Sequence, residues 1–273
     1  MTVRSSAVKR FLKRRGRRLF AWGSMVTGVG REGRLTPGLR ILTYHRVTDD
    51  PYDPFAVMPS DFRVQMEQIA ATGASMPLEE ALTELDRGEN ERPQIVLTFD
   101  DGTMDFLTDA LPVLARLHLP ATLYVSPARV GEEGFLGWKE LRAISAAGFR
   151  IGSHGLDHRS LGRMAPSEAS SQVSESRRIL EDRLGIAVTS LAYPFGTLRD
   201  FNEGVKGDLR RSGYRSACTS VNGVNSSASD LLELRRTKIE QADGPIFRRI
   251  LSGGLDGWAL VDRKLAVLQN RYP

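Results

Sequence analysis

Seven short apolar, β-branched runs recur along this chain, near residues 39–44, 94–99, 120–125, 149–152, 189–193, 214–219 and 232–239. Between them lie stretches with the apolar spacing of helices, near 60–73, 104–117, 138–147, 167–184 and 203–212. Parallel strands need a crossover of about a dozen or more residues, and a helix is the usual one. Repetition of the βα unit therefore predicts a largely parallel sheet wrapped by helices, an α/β fold. With 273 residues, 41% of them hydrophobic, the chain is long enough to bury a single such core. No internal repeat or low-complexity tract interrupts it, and the Ser-rich stretch 225–229 reads as a loop.

Two of the runs end in chemistry. Gln94 to Phe99 is followed by Asp100-Asp101-Gly102, and Phe149-Arg150-Ile151 is followed by Ser153-His154-Gly155-Leu156-Asp157-His158. A buried strand delivers its last residues to the carboxyl edge of the sheet, where α/β folds place their sites. Successive side chains leaving a strand diverge, so one carboxylate can hold a metal while the other takes a proton. His154 and His158 are four apart, which places both imidazoles on one face if the segment turns helically. Two His and one carboxylate leave a divalent ion an open position for water or substrate, the catalytic type of site. Alone, Asp-Asp-Gly also reads as a turn and His-x3-His as a surface pair. The His-Glu motif of zinc proteases and a glycine-rich βα turn for dinucleotides are both absent.

The order of motifs from Ile41 to about Ile239 resembles a polysaccharide deacetylase of the NodB-homology type, carbohydrate esterase family 4. Thr98-Phe99-Asp100-Asp101-Gly102 matches that family's first motif, His154 through His158 its second, and Leu191-Ala192-Tyr193-Pro194-Phe195-Gly196 resembles its third. The resemblance implies a distorted (β/α) barrel of about seven parallel strands. It implies Asp100 as general base and Asp101, His154 and His158 as ligands of a divalent metal, zinc first, with cobalt or nickel as alternatives. The physical logic agrees, since a divalent ion acidifies water and a neighbouring carboxylate can finish removing its proton. The Phe195 backbone N–H is a candidate donor to the developing oxyanion.

The sequence departs from the commonest family pattern in two places. No His follows His158, so the usual late Leu-His motif is missing. Tyr44-His45-Arg46-Val47 instead resembles the circularly permuted branch, which includes poly-N-acetylglucosamine deacetylases and places the His-bearing strand first. His45 is then the candidate general acid, while His118 reads as structural or solvent-facing. The third motif also lacks the Arg that holds the base in many members. Arg236 is the candidate to replace it, and is grouped with Tyr193, Pro194, Phe195 and Trp138 on the substrate side. Trp138 resembles an active-site Trp of the permuted branch, or else caps a helix onto the core.

Charge is uneven. Residues 1–40 hold eleven Lys or Arg against the single acid Glu32, about +10, so the body is near −5 beneath a total of +5. The basic balance thus belongs to the amino-terminal segment and gives no reason to expect nucleic acid. In helical projection Val8, Phe11, Leu12, Leu19, Trp22 and Val26 share one side, and Lys9, Arg10, Lys13, Arg14, Arg17 and Arg18 the other. Such a helix can lie on an anionic membrane through residues 1–30; a disordered basic leader is the alternative. The division expected is a segment 1–38 and a deacetylase domain 39–273. The stretch 19–30 is short and broken for a signal peptide, and a spanning helix needs roughly 20 apolar residues. The lone Cys218 excludes an internal disulfide. A cytoplasmic enzyme, peripheral on the inner membrane, is the expected setting, with secretion second.

Three functions fit: a metal-dependent de-N-acetylase of an amino-sugar polysaccharide or lipid-linked glycan, a deformylase or O-deacetylase on the same fold, and a catalytically silent glycan-binding protein. The intact Asp100, Asp101, His154 and His158 favour the first.

Overall fold

The computed structural model describes residues 16, 17, 19–21, 35–88, 91–241 and 243–261. Seven strands form one sheet: β1 (Gly38–Tyr44), β4 (Pro93–Phe99), β5 (Ala121–Val125), β6 (Arg150–Ser153), β7 (Ser190–Ala192), β8 (Ser216–Cys218) and β9 (Arg236–Lys238). Two-residue strands β2 (Arg46–Val47) and β3 (Ala56–Val57) pair separately. The order is β8-β7-β6-β5-β4-β1-β9, and every neighbouring pair is parallel. The two edges meet again through a parallel bridge between Cys218 and Leu234, just ahead of β9. Leu234 N–H donates to Ala217 O at 2.9 Å and Thr219 N–H to Leu234 O at 2.8 Å. The result is a nearly closed barrel of the NodB-like kind, as expected from the motifs.

Strands buried on both faces read as continuous apolar runs, and all seven residues of β1 are buried. Their two faces serve different cores. Leu39, Ile41, Val96, Tyr124, Ala192, Cys218 and Leu234 fill the barrel, while Leu42, Tyr44, Ile95, Leu97 and Phe99 face the outer helices in the larger cluster. Along β4 the two-residue period puts Val96, Thr98 and then Asp100 on the inner side.

Helix 78–86 was not among the expected helices. Its buried Leu78, Ala81, Leu82 and Leu85 join the interior cluster with Met76, so this helix plugs the floor of the barrel. The segment before it reads as neither element by period alone, because residues 74–76 pair locally with Ile95 in an extended bridge before the helix begins.

Residues 16, 17 and 19–21 touch the body of the fold. Arg17, expected on the polar face of a membrane helix, is 2% exposed, whereas Leu19, expected on the apolar face, is 72% exposed. Arg17 donates to Asp243 Oδ2 at 2.7 Å and to the Lys238 carbonyl at 2.9 Å, and the Phe20 ring meets Trp258 edge-on at 5.5 Å. A buried carboxylate partner outweighs the helical projection. The rest of the amphipathic segment, 1–15, 18 and 22–34, lies outside the described residues. No helix among the described residues is long and apolar enough to cross a membrane.

Candidate active site

The carboxyl ends of β1, β4, β6 and β7 converge on one group of polar side chains. Asp100 follows β4 and is 2% exposed. A carboxylate so buried demands a cationic partner, and Arg236 of β9 supplies it. Its Nη1 and Nη2 donate to Asp100 Oδ1 and Oδ2 at 2.8 and 2.7 Å. Arg236 is itself anchored by Nε to the Thr219 carbonyl at 2.8 Å. Burial works to raise the Asp100 pKa, but the Arg236 charge and hydrogen bonds together with the nearby imidazoles outweigh it, and the carboxyl is held below its ordinary value.

Asp101 turns the other way. Its Oδ1 lies 3.6 Å from His154 Nε2 and 3.3 Å from His158 Nε2. One ligand atom from each of these three residues lies within 4.8 Å of the others. His154 Nδ1 is 2.7 Å from the Ala192 carbonyl, and a carbonyl can only accept, so Nδ1 carries the proton and the Nε2 lone pair faces Asp101. A ring fixed in this way by a carbonyl behind it is the usual support of a metal-ligating His. Burial lowers the His154 pKa, keeping the imidazole in the neutral form that ligation requires. Asp101 is held far below the usual carboxylate range; burial opposes this, but the His158 hydrogen bond and the surrounding imidazoles prevail. A mixed nitrogen and oxygen set of this size fits a borderline divalent ion such as zinc.

The two His are not brought together by a helical turn, as the spacing alone suggested. Residues 154–160 are irregular. Gly155 at φ 72 and His158 at φ 61 bend the chain back, and the rings meet at 4.9 Å. A side chain at Gly155 would press on Pro194 Cγ at 3.2 Å. Gln172 Oε1 accepts from Leu156 N–H at 3.0 Å and Asp157 N–H at 3.3 Å, and Ser126 Oγ donates to the His154 carbonyl at 2.8 Å. Among the described residues four non-glycines have positive φ, and three of them, Asp101, His158 and Phe195, are at this site. Backbone strain of this kind concentrates where geometry is held for function.

His45 closes the group from the end of β1, its Nε2 3.9 Å from Asp100 Oδ2. The Phe55 ring stacks on it at 5.2 Å. Asp105 steadies the following residues, accepting from Arg46 Nε at 2.7 Å and from Val47 N–H at 2.6 Å. Burial pulls the His45 pKa down to about 4 against the attraction of Asp100.

Arg236, at 0% exposure, grips Asp100 as the candidate for the missing Arg, which takes it out of the substrate-side group. Three other expected placements change. Tyr193 is also buried at 0%, its OH donating to the Leu232 carbonyl at 2.8 Å. Pro194 is buried against Gly155. Trp138 opens helix 138–146 and packs on the outer core, with the Arg183 guanidinium 5.7 Å from its ring centroid. Only Phe195, 57% exposed and edge-on to His158 at 5.0 Å, presents itself at the rim. His118 is solvent-exposed as expected. Gln172, Ser126, Asp105 and Phe55 were not anticipated. A polar residue on a helix face or in a loop carries no signal of this role until the partner it meets is known.

A nearly closed (β/α) barrel with a carboxylate-and-imidazole cluster at its strand ends defines a hydrolase of the deacetylase class. The model of the family described as polysaccharide deacetylase matches residues 87–217, a little under half of the chain. The chain is a hydrolase acting on carbon–nitrogen bonds other than peptide bonds. The matched span begins after β1 and ends before β9, so His45 and Arg236 both lie outside it. YxkH of Bacillus subtilis, a protein provisionally named as a polysaccharide deacetylase, is 25% identical over 203 residues, 74% of this chain and 71% of its own. The poly-beta-1,6-N-acetyl-D-glucosamine N-deacetylase of Staphylococcus epidermidis is 26% identical over 188 residues, 58% of this chain and 65% of its own. The Streptococcus pyogenes deacetylase PplD, solved in complex with acetate, shares the fold with a TM-score of 0.70 at 24% identity, over 78% of this chain and 98% of that one.

Proposed function

We propose that this chain is a metal-dependent de-N-acetylase that hydrolyses the acetamido group of an N-acetylated amino sugar in a polysaccharide or lipid-linked glycan. The observation that carries the reading is a buried carboxylate, Asp100, gripped by Arg236, directly beside a separate ligand set of Asp101, His154 and His158. Asp101 Oδ1 and the Nε2 atoms of the two His would hold the ion. Bound there, a divalent ion supplies Lewis acidity toward the attacking water and the acyl oxygen.

Asp100 takes the proton from water as the water oxygen bonds to the acetyl carbon. The Arg236 fork fixes the direction of its lone pairs and keeps it ionised. His45 gives the leaving nitrogen its proton as the carbon–nitrogen bond breaks, releasing acetate and a free amine. A buried His45 is neutral at neutral pH, so it must first gain that proton, and Asp100 is the neighbour placed to pass it on. The backbone N–H of Phe195, at the exposed rim, is the candidate donor to the acyl oxygen as charge builds. The named activity of the Staphylococcus epidermidis relative supports an amino-sugar polymer as the substrate class. A cytoplasmic setting at the inner membrane rests on the basic character of residues 1–40 alone.

The test is acetate release from short N-acetylglucosamine oligomers by protein stripped with chelator and then given Zn2+ or Co2+. Release should vanish on stripping and return with metal. No release by metal-loaded protein would move the reading to a formylated or ester substrate. His45→Ala should keep its metal and turn over roughly 10²–10⁴-fold more slowly, the range for losing a general acid. Loss of metal in step with activity would make His45 a ligand instead.

A further inference from the structure

The floor of the barrel carries a cavity. It measures about 410 Å3 and is lined by Glu79, Phe149, Arg150, Ile151, Thr189 and Arg215, among others. A narrow recess shares Glu79, Thr189 and Arg215 with it and reaches Ser216. The strands are parallel, so the amino ends of β6 and β8, where Arg150 and Arg215 sit, open on the mouth opposite His154. Along β6, Arg150 and Ser153 are three steps apart, about 10 Å at the rise of a parallel strand.

We propose that this floor cleft binds an acidic saccharide, a sugar bearing a single carboxylate or phosphate ester, at a site separate from the catalytic one. Three observations converge on that chemistry. The first is charge. Arg215 makes no side-chain hydrogen bond or ion pair with a described residue, and Arg150 has only Glu79, its Nε 3.8 Å from Oε2 and beyond hydrogen-bond reach. Two guanidinium groups against one carboxylate leave a surplus of one positive charge, matched by one anionic group. The amino end of helix 78–86 borders the recess through Leu78 and adds its positive potential.

The second observation is unmet hydrogen bonding. Ser216 is 1% exposed and its Oγ has no partner; Glu79 Oε2 is buried and likewise without one. Buried polar atoms left in this state are uncommon and costly. An anion alone would satisfy the arginines but set its charge against Glu79. Sugar hydroxyls donating to Glu79 and exchanging a hydrogen bond with Ser216 would satisfy both. The third is shape. Phe149 and Ile151 give the cleft an apolar wall suited to the C–H face of a sugar, and its volume lies in the roughly 300–1,000 Å3 range of small-molecule sites.

The experiment is calorimetric titration of the full chain with D-glucuronate and with glucose 1-phosphate, beside glucose and inorganic phosphate. One of the two acids should bind about tenfold or more tighter than either control, and Arg215→Ala should weaken it about tenfold, the scale of one charge-assisted contact. Preference for glucuronate assigns a carboxylate, and preference for glucose 1-phosphate assigns a phosphate ester. Arg215 is exposed, so the variant should melt with the wild type. Asp100→Asn should bind the acid unchanged. Absence of binding, inorganic phosphate binding as well as the sugar acids, indifference to Arg215→Ala, or loss in Asp100→Asn would each overturn the proposal.

Discussion

Asp100→Asn should leave a folded protein that holds its ion at Asp101, His154 and His158 yet turns over roughly 10²–10⁴-fold more slowly, the contribution of a positioned general base. The amide keeps the shape of the carboxylate and one oxygen for Arg236, so the barrel still folds, although the Arg236 charge loses its counter-ion and the variant should melt below the wild type. It has no basic oxygen to take the proton from water. Asp101 cannot substitute, because its Oδ1 already faces His154 and His158. Metal content measured beside acetate release separates the two roles: activity should fall while bound metal stays. Near-full activity in the variant would remove Asp100 from the mechanism, and loss of metal would place it among the ligands.

Arg236→Met should be strongly destabilising. It leaves Asp100 buried with no counter-charge, a loss of about 3–5 kcal/mol for breaking one half of a buried pair. For a domain of this size that is a fall of roughly 6–20 °C in Tm. Asp100→Asn combined with Arg236→Met should recover most of that stability while remaining inactive, because the stranded charge is gone. The sign with pH follows from the same pair. Arg236 holds the folded pKa of Asp100 below its unfolded value, so the stabilisation is present above about pH 4 and is lost as pH falls further. The gap between wild type and Arg236→Met should therefore narrow in acid. A single variant that melts with the wild type, or a double variant no better than the single, would show that the fork does not carry this stability.

The four side chains closest to the chemistry were legible because each terminates a strand whose apolar run is itself legible. Asp100 and Asp101 end β4, and His154 follows β6. His45 was reached the same way from β1. The substrate-side residues were less legible. Tyr193 and Pro194 belong to a motif, but a motif does not say which way a ring faces, and both are turned into the interior. Trp138 lies on the outer core for the reason weighed against it at the outset: the first turn of an amphipathic helix is a common place for a large apolar cap.

The sequence by itself determined the α/β alternation, the strand ends where carboxylates and imidazoles gather, and the family resemblance. These depend on periods of two and about 3.6 residues and on short motifs, all local along the chain. Tertiary structure alone decided the rest. Arg236 was a candidate partner in the sequence, but the pairing with Asp100 across 136 positions is made only because β9 adds to the sheet beside β1. Helix 78–86 becomes a floor because the barrel interior needs apolar volume at that end. Arg17 is buried and Leu19 exposed because Asp243, more than two hundred residues away, offers a carboxylate inside the fold. A partner's distance in sequence leaves no trace in the local pattern, so such pairings are settled only when the chain closes on itself.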